Sequence, residues 1–358
     1  MTPLIAFVVF YFIAIYSITK SYKWQNEYIV VSLIILTYLI GTREEWPDMY
    51  AYIRAFKSVP SVISGDYSWS LQPVSYSEKG YYLLAAIIKT FSEEPVFYLT
   101  VMGAISMYLL KRVLNIFCLI PLLGLCDYIG RFLLNRDFIQ MRSSLAVLLI
   151  IFGVKFILEK KAWKYFLIIF IAYQFHHMAL IGIPFYFFNM INYKKWHIWT
   201  ALILAAILSQ TAAEFITDTV DAYSKDLEYT GYTQGDYVKQ ALGLRNPMIY
   251  FQTGVLIIFA YTEKWIKGLS KYYYIFRNGY FYSTLILIFF CNYTALSGRT
   301  STMFATFEMF MLPMIGRVIP KRQLQILYYI GVGVVLFYFF FSKYTSARQE
   351  YFQQIIGF

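Results

Sequence analysis

Residues 143–158 have the sequence SSLAVLLIIFGVKFIL, an apolar run whose single charged side chain is Lys155. Such a run favours a helix inside the hydrocarbon core of a membrane, although a perpendicular crossing needs roughly 20 residues. Comparable segments recur at about 4–18, 27–41, 94–110, 113–130, 164–176, 178–191, 197–213, 248–262, 273–292, 301–317 and 323–342. Together they predict an all-α integral membrane protein with about 12 transmembrane helices.

The composition of the 358-residue chain supports this fold class. Apolar residues make up 59% of the chain and charged residues only 14%, which is too few to coat a soluble protein of this length. The net charge of +11 comes from short basic clusters between apolar segments, so we expect no nucleic-acid partner. The three cysteines lack metal-ligand spacing, and we expect no metal and no cofactor. Residues 1–358 are predicted to form a single polytopic membrane domain.

Lysine and arginine are concentrated in alternate loops, one set of which holds 17 basic and three acidic residues. Because cytoplasmic loops retain positive charge, this set is predicted to face the cytoplasm. Two long loops, at about 42–79 and 214–247, then lie on the outer side. Their length indicates a function, and their aromatic, acidic and arginine residues suit a carbohydrate. The short apolar segment 80–91 is predicted to be an interfacial or re-entrant helix.

Several arginines lie on the outer side, where the distribution of charge disfavours them. The planar guanidinium group matches phosphate oxygens in a bidentate way, so a diphosphate ligand would explain this choice of residue. The alternative is that these arginines extend from helix ends or pair with acids such as Asp127, Asp137 and Glu78. The alternative is favoured for Arg54 and Arg348, whereas a functional role is favoured for Arg142 and Arg299. The other outer arginines are Arg43, Arg131, Arg136 and Arg245.

His176 and His177 interrupt the apolar stretch that surrounds them. A histidine pair there can supply a general base, a donor that orients a hydroxyl group, or a polar helix junction. A broken helix at membrane depth persists only where it contacts protein or a wet cavity, which favours a role in the site. Glu308 lies within another apolar segment, so we expect a buried partner or a pathway there.

Five sequence blocks, in this order, resemble the EpsG family and related Wzy-type polysaccharide polymerases. They are GTREEWPDMYAYIRAF with Arg43, Asp48, Tyr52 and Phe56; SEKGYYLL with Glu78 and Gly80; QMRSSLA with Arg142; FHHMALIGIP; and LSGRTSTMF with Arg299. The blocks extend from about residue 41 to residue 313. Residues 44–47, EEWP, depart from the pattern, since the family more often has small residues before the aspartate.

The resemblance implies a multi-pass enzyme of the bacterial inner membrane with a GT-C-like fold. Such an enzyme joins oligosaccharide repeat units, carried on undecaprenyl diphosphate, at the outer face, and makes O-antigen, capsule or exopolysaccharide without a metal. A chain-length regulator and a flippase are compatible partners. An O-antigen ligase and a lipid-linked oligosaccharide flippase are alternative functions, and a membrane acyltransferase is a third.

The implied site contains two sets of residues. One set orients or deprotonates the acceptor hydroxyl: Asp48, Glu78, His176 and His177. The other set binds the diphosphate or sugar: Arg43, Tyr52, Arg131, Arg136, Arg142 and Arg299.

Overall fold

The computed structural model describes residues 25–64, 78–211 and 241–356, together with the isolated positions 5, 8, 11 and 215. Every regular element within these ranges is a helix, so the predicted all-α class is confirmed. The predicted first span at 4–18 lies almost entirely outside the described residues. So do residues 65–77 of the first long loop and most of the second long loop. The described part of the first loop contains a short helix, Met49–Ser58.

The chain divides into two compact units, of which the first comprises residues 1–180 and 316–358 and the second comprises residues 181–315. That the chain forms a single membrane domain stays a prediction. The α-helices of the first unit are α1 (Gln25–Gly41), α2 (Met49–Ser58), α3 (Lys79–Lys89), α4 (Pro95–Phe117), α5 (Pro121–Tyr128), α6 (Met141–Leu158), α7 (Ala162–Tyr173) and, near the end of the chain, Arg322–Ile356.

The first unit is built around α4, which packs against α1 and α6, while α6 also packs against α7. Helix α4 continues through Lys111 and Arg112 to Phe117. The predicted boundary between spans at 94–110 and 113–130 is therefore wrong. The chain turns instead at residues 118–120, and Pro121, whose ring fixes φ, begins α5.

A π-helix, Ile129–Ile139, follows α5 directly and packs against Arg322–Ile356. Its wider spacing is visible at its end, where the backbone N–H of Gln140 donates to the carbonyl of Asn135, five residues earlier, at 3.1 Å. Most π-helices are single turns within α-helices and often occur at functional sites. This longer example carries both Arg131 and Arg136.

The helices of the second unit are α8 (Gly182–Phe188), α9 (Lys195–Leu208), α10 (Pro247–Tyr261), α11 (Glu263–Ile266), α12 (Tyr273–Phe289) and α13 (Thr294–Ala305). Helix α14 (Glu308–Arg317) begins in this unit, and its last two residues belong to the first unit, as does α15 (Arg322–Ile356). Helix α12 packs against α8, α9, α10 and α13. The predicted segment 301–317 is two helices, because the α-helical pattern stops at Thr306 and Phe307.

Three described helices are long and apolar enough to cross a membrane: Pro95–Phe117, Met141–Leu158 and Arg322–Gln353. Five shorter apolar helices accompany them: Gln25–Gly41, Ala162–Tyr173, His177–Phe188, Lys195–Leu208 and Pro247–Tyr261. Since side chains such as Ile34, Phe170 and Val334 are exposed on these helices, their apolar surfaces suit a hydrocarbon solvent. The predicted break at the histidine pair is present, because α7 ends at Tyr173 and a 3₁₀-helix begins at His177.

Candidate functional site

The carboxylate of Glu78 joins three parts of the first unit. Its Oε2 atom accepts a hydrogen bond from Nη1 of Arg142 at 2.8 Å, and its Oε1 atom accepts one from the backbone N–H of His177 at 3.0 Å. Glu78 immediately precedes α3, Arg142 is the second residue of α6, and His177 begins the 3₁₀-helix. Glu78 is only 5% exposed. Glu78, Arg142 and His177 together form the Glu78 junction.

The backbone around Gly80 explains how α3 reaches the junction. The N–H of Tyr81 donates to the carbonyl of Gln174 at 3.1 Å, so the start of α3 packs directly on the chain after α7. A Cβ atom on Gly80 would lie 2.5 Å from Cβ of Gln174 and 2.8 Å from its carbonyl oxygen. Only glycine permits this approach without displacement of the backbone.

Aromatic rings pack beside the junction. The ring of Tyr81 lies 6.1 Å from that of Tyr52, and the guanidinium carbon of Arg142 is 5.9 Å from the Tyr81 ring. The hydroxyl groups of Tyr81 and Tyr98 are hydrogen bonded, and Tyr98 stacks on Phe56 at 4.4 Å. The sequence prediction included Tyr52 but not Tyr81 or Tyr98. Tyr81 could have been found from its spacing, since it follows Glu78 by about one helical turn.

Arg43 lies next to this cluster and is buried. Its Nη1 atom donates to the carbonyl of Ile40 at 2.6 Å, and its Nη2 atom donates to the sulfur of Met141, the neighbour of Arg142, at 2.9 Å. Burial lowers the pKa of Arg43 to about 10, while the nearby Tyr52 opposes this shift. Arg43 therefore stays positively charged at neutral pH.

The two histidines differ in their contacts. The Nδ1 atom of His176 accepts a hydrogen bond from the backbone N–H of Met178 at 3.2 Å. A nitrogen that accepts a hydrogen bond carries no proton, so the neutral imidazole has its proton on Nε2 and can donate from there. The imidazole of His177 packs against the ring of Tyr173 at 4.9 Å, while its backbone serves the junction.

Arg131 and Arg136 lie on the π-helix, against aromatic rings. The guanidinium carbon of Arg136 is 4.7 Å from the ring of Phe132, and that of Arg131 is 4.9 Å from the ring of Phe339. Arg136 is 2% exposed. The structure thus places both side chains among rings, where cations interact favourably with the π-electrons.

Asp137, which the sequence offered only as a partner for an arginine, is the centre of a buried hydroxyl network. Its carboxylate accepts hydrogen bonds from Ser106, from Tyr128 at 2.7 Å and from Ser144 at 2.7 Å. These hydroxyls belong to α4, α5 and α6. Burial raises the pKa of Asp137, and the hydrogen bonds oppose this shift. The network therefore connects the π-helix to three other helices.

Asp48 is exposed at the start of α2 and has a left-handed backbone conformation, with φ of 60°. The turn before it departs from the family pattern, and its residues bind the last helix. Arg348 donates to the carboxylate of Glu45 at 2.8 Å, and the ring of the buried Trp46 lies 5.9 Å from that of Tyr344. Arg348 is thus ion paired, as expected from the sequence.

The second unit contains the remaining two residues of interest. Arg299 lies on α13, so it belongs to a different unit from the Glu78 junction. Glu308 is fully buried at the start of α14 and accepts a hydrogen bond from the hydroxyl of Tyr280 at 2.8 Å. The buried partner expected for Glu308 therefore includes this tyrosine.

Within the part of the chain that the structure describes, no three His, Cys, Asp or Glu side chains converge on a position that could bind a metal ion. No curated protein and no solved structure matches the chain. The model of the EpsG family matches residues 26–355, nearly the whole chain, including all five blocks and the Glu78 junction. The chain therefore belongs to the EpsG family.

Proposed function

We propose that this protein is a glycosyltransferase that polymerises oligosaccharide repeat units, with donor and acceptor both carried on undecaprenyl diphosphate. Membership of the EpsG family and the apolar helices support a membrane protein with a polymerase-like role in polysaccharide biosynthesis. In this proposal the protein has about 12 spans and a GT-C-like arrangement in the bacterial inner membrane. Its site faces outward, and its product is O-antigen, capsule or exopolysaccharide.

The Glu78 junction is the observation that carries the proposal. Glu78 contacts residues that are 64 and 99 positions away in the sequence. The three residues come from three of the blocks that resemble the family, and Tyr52, from a fourth block, packs on the neighbouring Tyr81. Convergence of these blocks at one buried carboxylate supports a shared active site.

The reaction in this proposal forms one bond and breaks one. A hydroxyl of the acceptor sugar attacks the anomeric carbon of the donor sugar and forms the glycosidic C–O bond. The bond from that carbon to the diphosphate oxygen breaks, and undecaprenyl diphosphate leaves with the electron pair. The hydroxyl proton passes to a base.

Arg142 is assigned to the diphosphate, where its positive charge stabilises the negative charge that develops on the leaving group. Glu78 orients Arg142 before substrate binds, because both of its carboxylate oxygens already accept hydrogen bonds. We therefore assign Glu78 as a positioning residue and not as the base. Arg43 adds a second positive charge beside the cluster. Arg131, Arg136 and Arg299 stay predicted ligands of the diphosphate or sugar.

The acceptor hydroxyl requires a donor that orients it and a base that removes its proton. His176 suits the first task, since its Nε2–H is directed by the hydrogen bond at Nδ1. Asp48, whose side chain is exposed, suits the second. His177 contributes its backbone to the junction and its ring to packing.

The proposal is tested by single replacements R142Q, R142K, H176N and D48N in cells that depend on this protein for polymer. Membrane levels are measured, and lipid-linked glycans are separated on a gel. We expect loss of long chains and accumulation of single lipid-linked units at the outer face. Loss of one electrostatic donor typically lowers a rate by about 10²–10³. The matched control is R348Q, which removes an arginine paired at the surface and should retain polymer.

Each other outcome contradicts a part of the proposal. Persistence of long chains in R142Q at normal membrane levels would show that the Glu78 junction is not the active site. Accumulation of polymer that is no longer transferred to its final lipid acceptor would favour a ligase. Accumulation of units at the cytoplasmic face alone would favour a flippase.

A further inference from the structure

A groove of about 420 Å³ runs between α1 and α4 in the first unit. The two helices are antiparallel neighbours, so Tyr38 and Thr100 line one end of the groove, and Val30 and Lys111 line the other. Its walls are almost entirely apolar. In a membrane protein such a surface lies against lipid. The shape of the groove and its charged end therefore indicate which lipid it could bind.

Glycines bring the two helices together at the Thr100 end. A Cβ atom on Gly41 would lie 3.0 Å from Cα of Thr100, and a Cβ atom on Gly103 would lie 2.9 Å from Cγ2 of Ile40. Small residues permit this close approach of helix backbones in membranes. Between Gly103 and Lys111 neither α4 nor the facing part of α1 contains a glycine. Close approach of the two helices therefore marks the Thr100 end of the groove, and Lys111 marks the other end.

Lys111 is the single charged residue that lines the groove. The structure gives its ammonium group no ion pair or hydrogen bond with any of the residues that it describes. The neighbouring Arg112 is exposed outside the groove. An isolated lysine at the end of an apolar groove matches the chemistry of a lipid with an anionic headgroup.

The length of the groove also matches a lipid chain. From Thr100 to Lys111 the helix rises about 16 Å at 1.5 Å per residue. One leaflet accounts for about 15 Å, half of the hydrocarbon thickness. We propose that the groove binds one acyl chain of an anionic phospholipid, with the lipid phosphate at Lys111 and the chain end near Thr100. This site is independent of the proposed glycosyl transfer.

The test uses the full-length protein in vesicles that contain trace phosphatidylglycerol or phosphatidylcholine with a photoreactive group on the acyl chain. After illumination, labelled peptides are identified by mass spectrometry. We expect label on α1 and α4, with about a fivefold preference for phosphatidylglycerol, from the roughly 1 kcal/mol that one lysine contributes near an anionic lipid. K111Q should abolish this preference, and R112Q, with the same change in charge, should retain it.

A second pair of variants tests the groove itself. A104F fills the groove and should remove labelling by both lipids. V31F is the control, because it adds the same ring on α1 outside the groove, at a side chain that is 55% exposed, and it should leave the labelling unchanged. Thermal unfolding confirms that each variant is folded. Equal labelling by the two lipids, equal effects of K111Q and R112Q, or labelling that survives in A104F would overturn the proposal. Displacement of the probe by an equal amount of undecaprenyl phosphate would also overturn it, in favour of a polyprenyl lipid.

Discussion

Replacement of Glu78 by glutamine is expected to lower the free energy of unfolding by about 3–5 kcal/mol, the usual effect of removing one partner of a buried ion pair. The side chains of Arg142 and Glu78 are 14% and 6% exposed, and their closest N and O atoms are 2.8 Å apart. At an effective dielectric constant near 20, two charges about 4 Å apart attract by about 4 kcal/mol, which agrees with this range. Glutamine retains an oxygen acceptor for the N–H of His177, so E78Q isolates the charge.

A double-mutant cycle with E78Q, R142Q and the combination of the two measures how strongly the two charges stabilise each other. Because each single variant leaves one charge buried, the double variant should be more stable than the sum of the two losses predicts, by about 1–3 kcal/mol. The assay is denaturant titration of the detergent-solubilised protein, followed by tryptophan fluorescence. E159Q is the control, since Glu159 forms an ion pair of the same length with Lys161 at side-chain exposures of 41% and 48%. If E78Q shifts the midpoint no more than E159Q does, the ion pair does not stabilise the fold as argued.

Two further predictions concern close packing and the buried network, both measured by thermal or denaturant unfolding. G80A should destabilise the protein by about 1–3 kcal/mol, because its Cβ meets the backbone of Gln174. Its control is G254A, because a Cβ atom at Gly254 would meet no other atom within 4 Å. G254A should change stability by less than about 1 kcal/mol, in either direction. Equal losses of stability in G80A and G254A would contradict the packing argument. D137A should cost about 3 kcal/mol or more, because three buried hydroxyls lose their acceptor, whereas S106A should cost about 1 kcal/mol. A smaller loss of stability in D137A than in S106A would show that the carboxylate does not organise the network.

Helices were the part of the fold that sequence could predict, because long apolar runs have few alternatives in a membrane. The segment 143–158 corresponds to α6 within two residues, and the break at the histidine pair is present. The histidine pair is a costly polar interruption of an apolar run, and it coincides with a break between helices.

Helix boundaries beside basic residues were less predictable. Their charges predict a loop at Lys111 and Arg112, but α4 continues for more than a turn beyond them. Long basic side chains can extend away from a helix toward water, so charge alone does not end a helix. Pro121 was the better boundary signal, because proline is favoured in the first turn of a helix.

Partner choice within the site could not be predicted from sequence. Asp127, Asp137 and Glu78 were all available to the outer arginines, and Arg142 pairs with Glu78 across 64 residues. Asp137 instead accepts hydrogen bonds from hydroxyls on three helices. Such pairings depend on which helices become neighbours, and an individual sequence carries little information about this.

The spacing of the π-helix has a consequence for two like charges. Five residues separate Arg131 from Arg136, and in an α-helix their directions would differ by about 140° at 3.6 residues per turn. With hydrogen bonds five residues apart, the same two positions lie nearly above one another, and both guanidinium carbons are within 5.3 Å of the Phe132 ring. If the same residues, with nothing deleted, formed an α-helix, the two arginines would lie on different faces. The hydrogen-bond spacing of this segment therefore determines that its two positive charges share one face.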